Sequence, residues 1–283
     1  MTGNPLPRSL APPHTRDTGA EPIGTITGGL LDRLRRRGGN ATVSDSRGPA
    51  TDAVAFASTI ERAATGLGRR GVCPGDVVGV LAPVSPVRLT AVYTVMAVGG
   101  IALPLELASD RETQIDVLTE TDARLLLVTA SLAGTALGLA ERSRVRQVIA
   151  FGEAPETTPF EELLLPGTDS GGYDPARGLF NNGILDYQAT SEGVVTTLYG
   201  HTDLLNLFRR FGAELELSRS DVVAVEPGMA EPARTALAAL ALWQGVSVVT
   251  TAAETEPEIR RDLAAACATV RGAPVPTRMA ARG

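Results

Sequence analysis

The feature that most restricts this chain is a series of short strand-like runs, the first of them apolar at every position. Val77-Val78-Gly79-Val80-Leu81 is the clearest; Ile101–Pro104, Arg124–Val128, Val145–Phe151, Val194–Leu198, Val222–Val225 and Val246–Thr250 follow it. A strand with one wet face alternates apolar and polar residues, whereas continuous apolarity is what a strand covered on both faces requires. Between the runs lie segments of helical period. Asp52–Arg70 sets Val54, Ala57, Ile60, Ala64 and Leu67 on one face. Further helices are predicted over Leu30–Arg37, Ser85–Met96, a segment capped by Ser109 or Asp110, Leu132–Arg142, Thr202–Leu217, Glu231–Trp243 and Glu256–Ala266. Strands separated by helices imply right-handed crossovers. The expected fold class is therefore α/β, with layered, largely parallel sheets and flanking helices.

The rhythm has two interruptions. Residues 1–25 contain Pro5, Pro7, Pro12 and Pro13 and read as a disordered lead-in. Residues 166–184 are rich in glycine, with Gly167, Gly171, Gly172, Gly178 and Gly183, and read as a linker or long loop. They divide the chain into a first α/β subdomain, 26–165, and a second α/β segment, 185–283.

Composition narrows the chemistry. Net charge is -6 with a pI of about 5.1, which gives no footprint for nucleic acid. All 26 basic side chains are arginine and none is lysine, so no step needing a lysine ammonium or amine is available. The run Arg33, Arg35, Arg36, Arg37 suits a solvated helix end. Cys73 and Cys267 lie far apart with no CxxC or Cys/His neighbourhood, so a disulfide framework and a zinc site are both unsupported, and free thiols are expected. No apolar stretch reaches membrane-spanning length, and no secretion signal is evident. A cytoplasmic protein is the expectation.

Several motif matches dissolve on inspection. Gly66-Leu67-Gly68-Arg69-Arg70-Gly71 fits GxGxxG, but it ends a helix and precedes a strand, the reverse of a dinucleotide site. Helix-terminating glycines explain it. Ser170 is not in a GxSxG elbow, His14 and His201 are the only imidazoles, and no metal-ligand spacing is present.

A specific resemblance begins at Arg70-Gly71-Val72-Cys73-Pro74-Gly75-Asp76-Val77-Val78. Gly99-Gly100-Ile101-Ala102-Leu103-Pro104-Leu105, then Thr121-Asp122-Ala123-Arg124-Leu125-Leu126-Leu127-Val128-Thr129, then Phe160-Glu161-Glu162-Leu163-Leu164 continue it in order. This succession resembles the adenylate-forming enzymes: acyl-CoA synthetases, aryl-CoA ligases and adenylation domains. Further on, His201-Thr202-Asp203-Leu204-Leu205, with Thr202 or Asp203 as the helix cap, resembles a later helix start of that family. The resemblance implies the N-terminal portion of the family's fold, with the ribose-binding region and the small C-terminal domain without counterpart in this sequence.

The family's next element is a Ser/Thr/Gly-rich loop ending Pro-Lys-Gly that wraps the ATP phosphates. Its counterpart here falls on Asp186–Val195, with Thr190, Ser191, Glu192 and Gly193 at the critical positions. The segment is short, and Glu192 stands where the lysine aligns. At ~4 Å and an effective dielectric near 20, reversing one unit charge beside a phosphate changes the interaction by several kcal/mol. Near the family's acyl pocket, Ala230 or its neighbours replace an aromatic–histidine pair. Tyr199-Gly200-His201-Thr202-Asp203 mimics a motif whose threonine and acid contact nucleotide and magnesium, but it comes too early in the chain. A strand end running into a helix cap is preferred there, and a rearranged nucleotide site is the alternative.

The resemblance thus implies a degenerate, truncated relative, a pseudoenzyme with no catalytic residue, metal or cofactor, serving as a binding or assembly protein. Partners implied are a second copy or a complementary chain, and an acyl or aryl small molecule. The alternative is acyl- or aryl-CoA ligase or acyl-adenylating activity, alone or completed by a partner, with ATP/AMP and magnesium as its cofactors.

Overall fold

The computed structural model describes residues 25–167, 183–273 and 276–279. The calls on residues 1–24 and on 168–182, most of the predicted linker, lie outside the described residues. Two sheets share one layer of helices. The first sheet is built from β1 (Thr42–Asp45), β2 (Ala50–Asp52), β10 (Val222–Val225), β11 (Ser247–Thr250), β12 (Val270–Arg271) and β13 (Thr277–Arg278), in the order β13-β12-β10-β11-β1-β2. The second holds β3 (Val77–Leu81), β4 (Ile101–Pro104), β5 (Leu125–Thr129), β6 (Gln147–Phe151), β7 (Thr158–Pro159), β8 (Gly183–Thr190) and β9 (Gly193–Gly200), in the order β7-β6-β5-β3-β4-β8-β9. Neighbours are parallel except β1–β2, β12–β13 and β8–β9.

The apolar runs explain the layering. In β3, Val78 and Val80 face the shared core, while Leu81 joins the outer one. In β5, Leu125 and Leu127 point inward and Leu126 and Val128 outward. In β10, Val223 and Val225 take the inner face and Ala224 the outer. Helices α1 (Ile26–Arg37), α2 (Ala53–Arg69), α3 (Pro86–Ala97), α6 (His201–Leu215) and α7 (Glu231–Gln244) contribute to the shared core. The outer faces are covered by α4 (Arg111–Glu120) with α5 (Ala133–Ala140) on one sheet and α8 (Glu256–Ala265) on the other.

α3 and α7 are buried on almost every side, as helices between two sheets must be. Local signals set helix starts: Ser85 caps α3 ahead of Pro86, and Asp52 Oδ1 accepts from the Val54 and Ala55 amides at the start of α2. Gly66 is needed for a different reason from capping. A Cβ there would collide with the Leu163 carbonyl, so the glycine lets α2 lie against the 3-10 turn Phe160–Leu164.

Several expectations change. The two sheets are not contiguous in sequence: β1 and β2 join the late strands, and β8 and β9 join the early ones, so residues 166–184 do not separate one sheet from the other. Gly183 belongs to a strand, not to the linker. Thr25, placed in the disordered lead-in, caps α1 through its hydroxyl, which accepts from the Gly28 amide at 3.0 Å. α6 is capped at Gly200, not at Thr202 or Asp203; Asp203 sits in its first turn and accepts from the Gly200 amide at 3.0 Å. Both cysteines are free and exposed.

Candidate functional site

In open α/β sheets the carboxyl ends of the strands are where ligands usually bind. Two features stand there. The first is a β-hairpin on the Asp186–Val195 segment. β8 runs parallel to β4 and turns directly into β9, with Thr190 opposite Gly193 and only Ser191 and Glu192 between them. The turn uses its own polar groups: the Thr190 hydroxyl donates to the Gly193 carbonyl (2.9 Å) and accepts from the Glu192 amide (3.3 Å). Ser191 and Glu192 are exposed. The segment was expected to be short beside the family's glycine-rich loop; what forms is a tight two-residue connection between strands.

The second feature is a knot of buried charge, which the sequence did not reveal. Arg88 on α3 and Glu231 and Arg234 on α7 are all at most 5% exposed. Arg88 Nε donates to Glu231 Oε2 at 2.7 Å, and Arg234 Nη1 donates to the same oxygen. Arg88 Nη1 also reaches the carbonyls of Ala82 and Leu105 at 2.6 and 3.2 Å, just past the ends of β3 and β4. Arg234 Nη2 donates to the Met229 carbonyl at 2.7 Å, beyond β10. The knot therefore ties the two sheets together at their carboxyl ends. Burial alone would raise the Glu231 carboxyl, but the Arg234 and Arg88 charges outweigh it and hold the group below its ordinary range. Glu231 Oε1 and Arg234 Nε have no hydrogen-bond partner among the described residues. Beside the knot, the Tyr93 hydroxyl donates to the Thr235 carbonyl (2.7 Å), and burial pushes this phenol far above its usual range.

Further along this edge Glu226, fully buried, accepts from Arg271 Nε (3.0 Å) and the Gly272 amide (3.1 Å). Burial raises its carboxyl, with Arg271 opposing. Among the described residues no group of three His, Cys, Asp or Glu side chains is placed to hold a metal ion.

The remaining candidates separate. Tyr199 and Gly200 end β9, and His201, Thr202 and Asp203 open α6, at the amino end of the sheet and away from the hairpin turn. His201 Nδ1 accepts from the Ile26 amide at 2.8 Å, which joins the starts of α6 and α1. Burial, helped by Arg209, lowers the imidazole pKa, as suits a nitrogen that must stay unprotonated to accept. Two clefts also lie at the amino ends of the strands. One, of about 340 Å³, is bordered by Arg33, Arg37, Arg219 and Trp243; Arg33 lies 4.3 Å above the Trp243 ring and donates to its carbonyl at 2.7 Å. The C-termini of α1 and α7 meet here, which accounts for the guanidinium groups.

Residues 53–175 match the model of the AMP-binding enzyme family. Most of the chain superposes on solved enzymes. The fold is that of the adenylate-forming enzymes. A long-chain-fatty-acid-CoA ligase from Archaeoglobus fulgidus matches with a TM-score of 0.74 at 17% identity, over 88% of this chain and 51% of that one. A luciferase-like enzyme from the nonluminescent mealworm Zophobas morio matches at 0.75 and 12% identity, over 89% and 60%. A benzoate CoA ligase from Burkholderia xenovorans matches at 0.69 and 17%, over 84% and 48%. The chain thus spans roughly half to three-fifths of these structures, and at such identities the likeness speaks to the adenylate-forming fold alone. No curated protein matches the chain. No helix among the described residues is long and apolar enough to cross a membrane.

Proposed function

We propose that this chain is a non-adenylating protein on the adenylate-forming fold, acting in the cytoplasm by binding and assembly. The observation that carries the reading is the two-residue turn at Ser191-Glu192. Thr190, Ser191, Glu192 and Gly193 are read as the remnant of the phosphate loop. A polyphosphate with its magnesium ion needs converging amide and hydroxyl donors and a cation. This turn spends its threonine hydroxyl on its own backbone, and its one charged side chain is a carboxylate. The residues do not fit the nucleotide. Tyr199, His201, Thr202 and Asp203 do not replace it, since His201 and Asp203 are engaged in starting helices. The partners proposed are a second copy or a complementary chain, with an acyl or aryl molecule as small ligand.

ATP–pyrophosphate exchange tests the reading. The purified chain, supplied with a panel of fatty and aromatic acids, is expected to show none above a heat-killed control. Acid-dependent exchange would overturn the proposal and mark the chain as an acyl- or aryl-adenylating enzyme.

A further inference from the structure

Among the described residues the two sheets have four edges, and they are not equally guarded. An edge strand offers unpaired N–H and C=O groups to any other strand, and folded proteins blunt such edges with shortness, charge or proline. β2 is three residues long and ends on Asp52. β13 has two residues, one of them Arg278, held on Asp221 at 3.0 Å. β7 has two residues and includes Pro159. β9 has none of these protections. Its eight residues, Gly-Val-Val-Thr-Thr-Leu-Tyr-Gly, contain no charge and no proline, and Val195 and Leu198 are 56% and 49% exposed.

The hairpin fixes which backbone groups face outward. With a two-residue turn, Thr190 and Gly193 bond to each other, and the bonding then alternates along β9. Val194, Thr196, Leu198 and Gly200 therefore direct their N–H and C=O groups away from β8. The Gly200 amide bears this out, since it donates to Asp203 instead. Among the described residues nothing outside the hairpin bonds to the main chain of Val194, Thr196 or Leu198.

We infer that β9 pairs with β9 of a second copy, antiparallel about a two-fold axis normal to the sheet, making one continuous sheet across the dimer. Such an axis requires opposed residues to share a face, so the residue on the axis meets itself. With Thr196 on the axis, Val194 lies opposite the partner copy's Leu198 on the face that carries Leu185 and Tyr187. Val195 lies opposite Thr197 on the other face. Val194 meets Leu198 and Thr196 meets itself on one face, Val195 meets the Thr197 side chain on the other, and about six main-chain hydrogen bonds form. Placing Thr197 on the axis instead would set Val194 against Gly200, whose amide Asp203 already holds. A foreign strand chosen by charge complementarity would find no charge on β9 to read; the like-on-like pairing of Val194 with Leu198 and of Thr196 with itself favours a second copy. One strand pair buries less than a standard interface, so dissociation is expected at about micromolar concentration or weaker. This inference rests on the assembly reading above and gives it a surface.

The test is sedimentation velocity on the full chain from about 1 to 100 micromolar, spanning that weak range. Wild type is expected to shift from monomer to dimer. Thr196→Lys and Thr196→Glu, each setting like charges together on the axis, are expected to stay monomeric, and an equimolar mixture of the two is expected to recover the dimer. Far-ultraviolet circular dichroism should be unchanged in both, because Thr196 is exposed and its amide is not used by the hairpin. A wild type that remains monomeric throughout, a single variant that dimerises like wild type, or a mixture that fails to pair would each overturn the inference. Pyrophosphate exchange on the same samples keeps the two proposals apart. Exchange by a dimer overturns the non-adenylating reading alone; a monomer without exchange overturns the β9 pairing alone.

Discussion

The carboxyl ends of the strands meet two contrasting neighbourhoods. Between the sheets, Arg88, Glu231 and Arg234 are withdrawn from water and spend most of their polar atoms on one another and on strand-end carbonyls. At the end of the seven-stranded sheet, the β8–β9 hairpin projects with an almost bare surface and a two-residue turn. In one place charge is abundant and already engaged; in the other, backbone groups are available and charge is nearly absent. An edge that binds polyphosphate needs unengaged charge, and neither neighbourhood supplies it. What the hairpin supplies is backbone, which another strand can read.

Removing the centre of the knot should give the largest effect. Glu231→Ala leaves two buried guanidinium groups without their carboxylate and is expected to cost about 3–5 kcal/mol in urea unfolding. The triple variant Arg88→Met, Glu231→Leu, Arg234→Met removes the charges together and should recover much of that loss. It should still fall short of wild type, because the Ala82, Leu105 and Met229 carbonyls lose their donors. If the triple variant is no more stable than Glu231→Ala, the contrast between the two neighbourhoods is not one of buried charge.

Asp221 gives a smaller test of engaged charge elsewhere. Burial would raise its carboxyl, but the Ser218 amide, Arg278 and Thr269 together hold it well below the usual range. The folded-state pKa is depressed, so this contribution is present above the ordinary carboxylate range and lost as pH falls through the folded value. Asp221→Asn is expected to cost about 1.5–3 kcal/mol at pH 7 and to flatten the acid limb of a Tm-against-pH profile.

His201, at the foot of the hairpin, should have a weaker effect. Its pKa is lowered in the fold, so its contribution is complete above the ordinary imidazole pKa and declines as pH falls below it. Tm should drop between about pH 7 and pH 5, and His201→Gln should reduce that drop. The smallest change is expected from Glu192→Lys. It restores a cation at the exposed turn, leaves Tm within error, and yields no pyrophosphate exchange, because two residues cannot wrap a triphosphate. Exchange gained on this one substitution would mean that charge alone, not loop length, separates the hairpin from a nucleotide site.

How much of this was legible in the sequence depends on whether the signal is local. Val77–Leu81, Ile101–Pro104 and Val222–Val225 were bounded correctly because uninterrupted apolar residues between turns leave little freedom. β8 was missed: aligning Asp186–Val195 with a phosphate loop outweighed the strand-forming Ile184, Leu185 and Tyr187 just before and within it. β1 and β2 are short and were passed over, although they carry the first sheet to its edge. The knot joins residues 143 positions apart, and no spacing announces such a pair. A clue existed in composition: Arg88 is the one charged group in α3 and Glu231 and Arg234 are the only two in α7, both helices being otherwise mostly apolar, so each guanidinium must find a buried partner.

The interleaving of the sheets has a consequence for dissection of the molecule. A chain divided between Gly167 and Gly183 would yield one piece bearing β1 through β7 and another bearing β8 through β13. Each piece would hold strands of both sheets and complete neither, so neither has a closed core with which to fold by itself. Produced together, the two pieces should find each other as obligate complements, docking through β4–β8 in one sheet and β1–β11 in the other. The described residues are thus expected to unfold as a single unit woven from two sheets, and a nicked chain should stay together until denaturant is added.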